Sequence, residues 1–228
     1  MPSKEKPILF SCPMVRAILE GCKTQTRRLI KPAKSQDWLT AEVLGEVVQM
    51  VDRGDGWWAM SVDDRQPGPH GTCPGHIGSV RAPYQVGDIL WVRETMKRGV
   101  VGWEYAADGS LVRLDLEHQT EMLAWAHHKK QDHCVSIHMP RWASRITLEV
   151  TEVRAQRLND ISEEDAKAEG CQPWQYDPMQ PMTTGEMGAA APYRGGYACL
   201  WDEINEERAT WKSNPWVWAY TFKRLESK

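Results

Sequence analysis

"RITLEVTEVRAQRLNDISEEDAKAEG", residues 145–170, places a strand and a helix in immediate succession. Ile146, Leu148 and Val150 alternate with Thr147, Glu149 and Thr151, the two-residue period of a strand with one buried face. The pattern then changes. Ser162 is a helix cap, Glu163, Glu164 and Asp165 suit the positive end of a helix dipole, and Gly170 stops the helix. Glu169 is out of place: a carboxylate in the last turn loses about 0.3–1 kcal/mol, where Lys or Arg would be favoured. Such a residue is either solvated or held for a reason.

Working outward, "ILEGCKTQTRR" (residues 18–28) ends a first helix. Ser11 caps it, Pro13 lies in its first turn, Met14, Val15, Ile18 and Leu19 form its apolar face, and Gly21 terminates it. Lys23, Thr24, Gln25, Thr26, Arg27 and Arg28 follow. In a regular strand Lys23 and Thr26 point to opposite faces, whereas a turn brings them together. Threonine is a poor nucleophile until a base takes its proton. Lysine can be that base only if its pKa falls about three units from ~10.4, roughly 4 kcal/mol. Arg27, Arg28 and burial are sources of such a depression. On spacing alone, the stretch also reads as a capping loop with a basic surface.

"VGDILWVRET" (86–95) is a turn feeding a strand, Tyr197, Leu200, Trp201 and Ile204 mark one face of a helix, and "NPWVWAYTFKRL" (214–225) is a closing strand. Three segments between these read as insertions. Residues 35–83 are poorly periodic, with Trp38, Trp57 and Trp58 and a Gly/Pro-rich run at 66–78; 97–137 carry weak strand signals and a His-rich tail; 172–196 read as a long loop or lid. Several strands with few helices imply an α+β fold: a small β-barrel with peripheral helices, in a single domain over 1–228.

Of 228 residues, 41% are hydrophobic and 26% charged, and the net charge of -3 excludes coating of nucleic acid by bulk electrostatics. Any such contact is local; residues 1–34 hold eight Lys or Arg against Glu5 and Glu20. Six cysteines without repeating spacing, no secretory segment and no apolar window of about 18 residues predict a cytoplasmic protein with reduced thiols and no membrane span. His70, Cys73 and His76 form one candidate metal group, and His127, His128, His133, Cys134 and His138 another. Neither has the paired Cys-x-x-Cys spacing of a zinc ribbon, so no metal and no cofactor are expected. His138, before Met139, Pro140 and Arg141, reads as loop structure or cleft lining.

Taken in order, "ILEGCKTQTRR", "VGDILWVRE", "ITLEVTEVRAQRLNDISEEDAKAEG" and "WVWAYTFKRL" resemble the ASCH domain, a β-barrel of the PUA-like group; "SIHMPRWASRITLEVTEV" is similar to its longer phage and prophage members. The resemblance implies a cleft beside the barrel and an association with RNA or modified nucleosides. Small bacterial ASCH amidohydrolases deacetylate N4-acetylcytidine with a Lys, a Thr and a Glu, which fall on Lys23, Thr26 and Glu169. By this resemblance Lys23 is the base toward Thr26, whose Oγ attacks the amide carbonyl, while Glu169 orients the lysine or shuttles a proton. Two alternatives stay open: Glu169 as base with Lys23 as cationic stabiliser, and direct attack by a water that Glu169 activates. Arg27, Arg28, Arg93, His138 and Arg141 are candidates to hold the substrate. The partners implied are a small modified nucleoside and RNA. The other reading is an RNA-binding module, with or without ribonuclease activity, using the basic residues of 16–31 and exposed tryptophans.

Overall fold

The computed structural model describes residues 5–31, 41–54, 56–63, 75–129, 132–174, 191–205 and 207–226, the side chains of 41, 42 and 127–129 excepted. Trp38, His70, Cys73, the His127 and His128 side chains and most of the 172–196 segment therefore lie outside the described residues. In chain order the elements are β1 (Glu5–Leu9), α1 (Cys12–Leu19), β2 (Gln25–Leu29), α2 (Ala41–Glu46), β3 (Gln49–Asp52), β4 (Trp57–Ser61), β5 (His76–Arg81), β6 (Ile89–Arg93), β7 (Met96–Arg98), β8 (Trp103–Tyr105), α3 (Leu116–Lys129), β9 (His133–Cys134), β10 (Thr147–Arg157), α4 (Glu163–Ala168), α5 (Pro192–Asn205) and β11 (Trp216–Leu225). The fold is mixed α and β, with several sheets and few helices.

The chain divides into two compact units, one formed by Met1–Lys23, Gly87–Val150 and Phe222–Lys228, the other by Thr24–Val86 and Thr151–Thr221. In the first, β1 lies parallel to β6, with Glu5 opposite Ile89 and Leu9 opposite Arg93, and the start of β10 is antiparallel to β6. A second sheet has the order β8–β7–β9. Met96, Trp103, Tyr105, Cys134 and Met139 form its core, to which α3 adds Met122 and Ala126, four residues apart on one helical face. The first helix ends in a Schellman motif: Gly21 is left-handed (φ 77°), its N–H bonds to Ile18 O (3.1 Å), and Cys22 N–H bonds to Ala17 O (2.8 Å).

In the second unit β11 is antiparallel to β2, with Tyr220 opposite Thr26, and β3–β4–β5 form an antiparallel meander. Leu158, Ile161, Ala166, Tyr197, Trp201 and Val217 make its core. Trp58 of the meander meets Trp218 of β11 edge to face, ring centroids 5.6 Å apart. Helix α5 starts where Trp174 N–H donates to Pro192 O (2.7 Å) and the Glu163 carboxylate accepts from Tyr193 and Arg194 N–H (2.7 and 3.0 Å). At Gly196 a Cβ would lie 2.1 Å from Gln172 O, so only glycine lets these backbones approach.

The alternation over 146–151 and the Ser162 cap appear as read: β10 buries Leu148 and Val150, and Ser162 Oγ accepts from Asp165 N–H at 3.0 Å. Two segments hold elements that the sequence did not announce, and the Ser11 cap and the barrel need correction. Residues 35–83 hold α2 and three strands. Their period is invisible because β4 buries Trp58, Ala59, Met60 and Ser61 in a row and so does not alternate. Residues 97–137 contain the 14-residue α3, which buries little beyond Met122 and Ala126 and has no strong apolar stripe. Ser11 occupies the N-cap of α1 but its side chain makes no capping bond. No sheet among the described residues closes into a barrel: β1 is an edge in the first unit's order β1–β6–β10, and β2 an edge in the second unit's order β10–β11–β2.

Candidate functional site

Strand β2 begins with three polar side chains that are nearly water-free: Gln25, Thr26 and Arg27 are 9, 2 and 3% exposed. The strand period puts Gln25 and Arg27 on one face and Thr26 on the other. Helix α4 supplies Asp165 and, at its C-cap, Glu169, a spacing of four that sets both on one helical face. The two elements are tied by Thr24 N–H, which donates to Ala168 O at 2.8 Å.

A guanidinium fork bridges the acids. Arg27 Nη1 donates to Glu169 Oε1 (3.0 Å) and Nη2 to Asp165 Oδ2 (2.7 Å). Gln25 Nε2 donates to Asp165 Oδ1 (2.9 Å) and Arg154 Nη2 to Asp165 Oδ2 (3.0 Å). Burial pushes the Asp165 carboxyl upward, but the Gln25 hydrogen bond and the Arg27 and Arg154 charges outweigh it and hold the group below the usual range. Tyr197 from α5 packs beside Arg27, with Cζ 5.9 Å from the ring centroid. Complete burial, then the Glu169 charge, push the Tyr197 phenol well up, so it stays neutral. The carboxylate that sequence marks as misplaced is thus offset by a buried arginine rather than by solvent.

The predicted residues are distributed as follows. Thr26, Arg27, Arg28 and Glu169 belong to the second unit; Lys23, Arg93, His138 and Arg141 belong to the first. Thr26 makes no side-chain hydrogen bond among the described residues, to Glu169 included. Lys23 is 2% exposed, its backbone N–H bonds to Ala17 O (3.0 Å) and its Nζ lies 5.6 Å from the Phe10 ring centroid. Arg27 spends its fork on protein acids, which makes it a positioning group more than a substrate contact. Arg93 donates to Met139 O (3.2 Å) and to Ile137 O, and Arg141 forms a two-bond pair with Glu5 (2.8 and 3.2 Å). His138 is exposed at the end of a 3-10 turn. His76 contacts Ser79, and among the described residues no group of three or more His, Cys, Asp or Glu is placed to hold a metal ion. No described helix is long and apolar enough to cross a membrane.

Sequence reasoning missed Asp165, Gln25, Arg154 and Tyr197 as partners of the site. The signal was present in part: Gln25 and Arg27 at strand spacing, and Asp165 and Glu169 at helical spacing, form two complementary pairs. A second polar cluster, in the first unit, also went unread. Glu94, 1% exposed, accepts from Arg145 Nε and Nη2 (2.8 and 2.9 Å), and Arg145 Nη1 reaches Asp108 (2.8 Å) while its Cζ lies 3.9 Å from the Tyr105 ring centroid. Comparison with protein-family models, with curated proteins and with solved structures returned no match for this chain.

Proposed function

We propose that the protein is an amidohydrolase of ASCH type, in a PUA-like fold, that removes the acyl group from an N4-acylated cytosine nucleoside such as N4-acetylcytidine. The observation that carries this reading is the contrast at the start of β2. Gln25 and Arg27 are locked onto Asp165 and Glu169, whereas Thr26 between them is 2% exposed and commits its hydroxyl to no protein partner among the described residues. A hydroxyl that no described protein group claims, on a strand held in register by β11, suits a nucleophile awaiting its substrate.

In this reading Thr26 Oγ attacks the acyl carbon, the cytosine amine leaves with a proton, and water then releases the acyl group from threonine. Arg27 fixes the position of the Glu169 carboxylate. Lys23 is the third member by resemblance, as base or as cationic stabiliser of the oxyanion. The RNA-binding reading loses the middle of its basic stretch: Lys23 and Arg27 are buried, which leaves Arg16, bonded through Nη1 to Ala107 O (2.6 Å), and Lys31 as its exposed cations.

Incubation of the purified protein with N4-acetylcytidine, with cytidine release followed by chromatography, tests the proposal. Turnover that disappears in Thr26→Val and Glu169→Gln is the expected result. Absence of turnover by the parent, with salt-sensitive retention of single-stranded RNA, would replace the hydrolase by the binder.

A further inference from the structure

A cleft of about 680 Å³ opens in the second unit away from Thr26, Arg27, Asp165 and Glu169, none of which lines it. Its size falls within the roughly 300–1,000 Å³ of small-molecule sites. It lies where β2, α2 and the start of β11 meet, with Leu29, Leu44 and Trp216 as an apolar wall. Its charged lining is Lys31, Arg157 and Arg208 against Glu207, two positive charges in excess.

The cations divide into two kinds. Arg157 is structural: it lies over Trp216, with Cζ 4.9 Å from the ring centroid, and donates to Val47 O (2.7 Å), Gly45 O (3.1 Å) and Asn214 O (3.2 Å). It rigidifies the wall. Trp216 is fixed as well, its indole N–H donating to Val47 O at 2.9 Å. Lys31 and Arg208 are exposed, and their side chains make no hydrogen bond or ion pair among the described residues. Two uncommitted cations beside a rigid apolar surface match a dianion better than a monoanion, and an amphiphilic ligand better than an inorganic one.

We propose that this cleft binds a phosphomonoester carrying a flat apolar group, the phosphate taken by Lys31 and Arg208 and the apolar group seated on Leu29, Leu44 and Trp216. The site is separate from the one that contains Thr26 and Glu169, and occupancy is independent of amide hydrolysis.

The test is an NMR titration of the full ¹⁵N-labelled chain with phenyl phosphate, inorganic phosphate and phenol. The reporter is the Trp216 indole N–H, assigned by its disappearance in Trp216→Phe. Phenyl phosphate is expected to give a saturable shift, and each half-ligand to bind at least about tenfold more weakly. Loss of the charge-assisted bonds in Lys31→Ala/Arg208→Ala, two exposed positions whose replacement leaves the fold intact, is expected to weaken phenyl phosphate about tenfold or more. Thr26→Val is expected to bind it normally, which separates this site from the hydrolase proposal. No saturable shift in the parent, unchanged affinity in the double variant, or inorganic phosphate binding as tightly as phenyl phosphate would each overturn the assignment.

Discussion

Arg27 Nη1 lies 3.0 Å from Glu169 Oε1, with the two side chains 0 and 3% exposed, so each is the other's substitute for water. A buried pair of this kind is a weak source of net stability, yet removal of one partner strands the other charge. Arg27→Ala is therefore expected to cost about 3–5 kcal/mol in urea unfolding. Arg27→Lys keeps the charge but loses the fork to Asp165 and Glu169 and is expected to recover only part. A double-mutant cycle with Glu169→Gln checks the cause: a coupling energy near zero would mean that Arg27 acts through Asp165 or through packing on Tyr197 instead.

Thr26 gives the opposite pattern. Its hydroxyl has no protein partner among the described residues, so Thr26→Val is expected to change stability by less than about 1 kcal/mol while abolishing deacylation. Thr26→Ser is expected to retain measurable turnover. A Thr26→Val protein as active as the parent would leave water attack as the chemistry.

The Arg145 hydrogen bond beside Asp108 holds that carboxyl down at about 2, against 3.8 for the free group. A depressed carboxyl stabilises the folded state above its unfolded pKa, and that contribution fades as pH falls through the folded one. The wild type is therefore expected to lose stability between about pH 4 and 2 relative to Asp108→Asn, the two curves converging at the acid end. Parallel curves across that window would show that Asp108 contributes nothing through its charge.

Gly21→Ala isolates backbone conformation. A Cβ at Gly21 would meet nothing within 4 Å, so the left-handed φ of 77° is the whole penalty, about 1–2 kcal/mol by thermal or urea unfolding. A neutral outcome would mean that the turn after α1 rearranges without cost.

How much of this was legible beforehand follows from the kind of signal each element carries. Strand β10 and helix α4 were readable because a period of two gives way to a capped acidic turn. The β3–β5 meander was not, because burial of four successive residues in β4 removes the alternation on which strand reading rests. Helix α3 was hidden by the opposite cause, too little burial. At the site, Glu169 stood out because a carboxylate opposes the helix dipole at that position, and Arg27 stood out as a charge. Their pairing, 142 positions apart in sequence, could not be read from either, since strand and helix periods fix facing within an element and say nothing of which element comes opposite.

The bond between Trp174 and Pro192, with the Gly196 approach to Gln172, pins the start of α5 to the backbone that follows α4. A side chain at 196 would therefore act at a distance: by forcing Gln172 and α5 apart it would lift Tyr197 away from Arg27 without touching either.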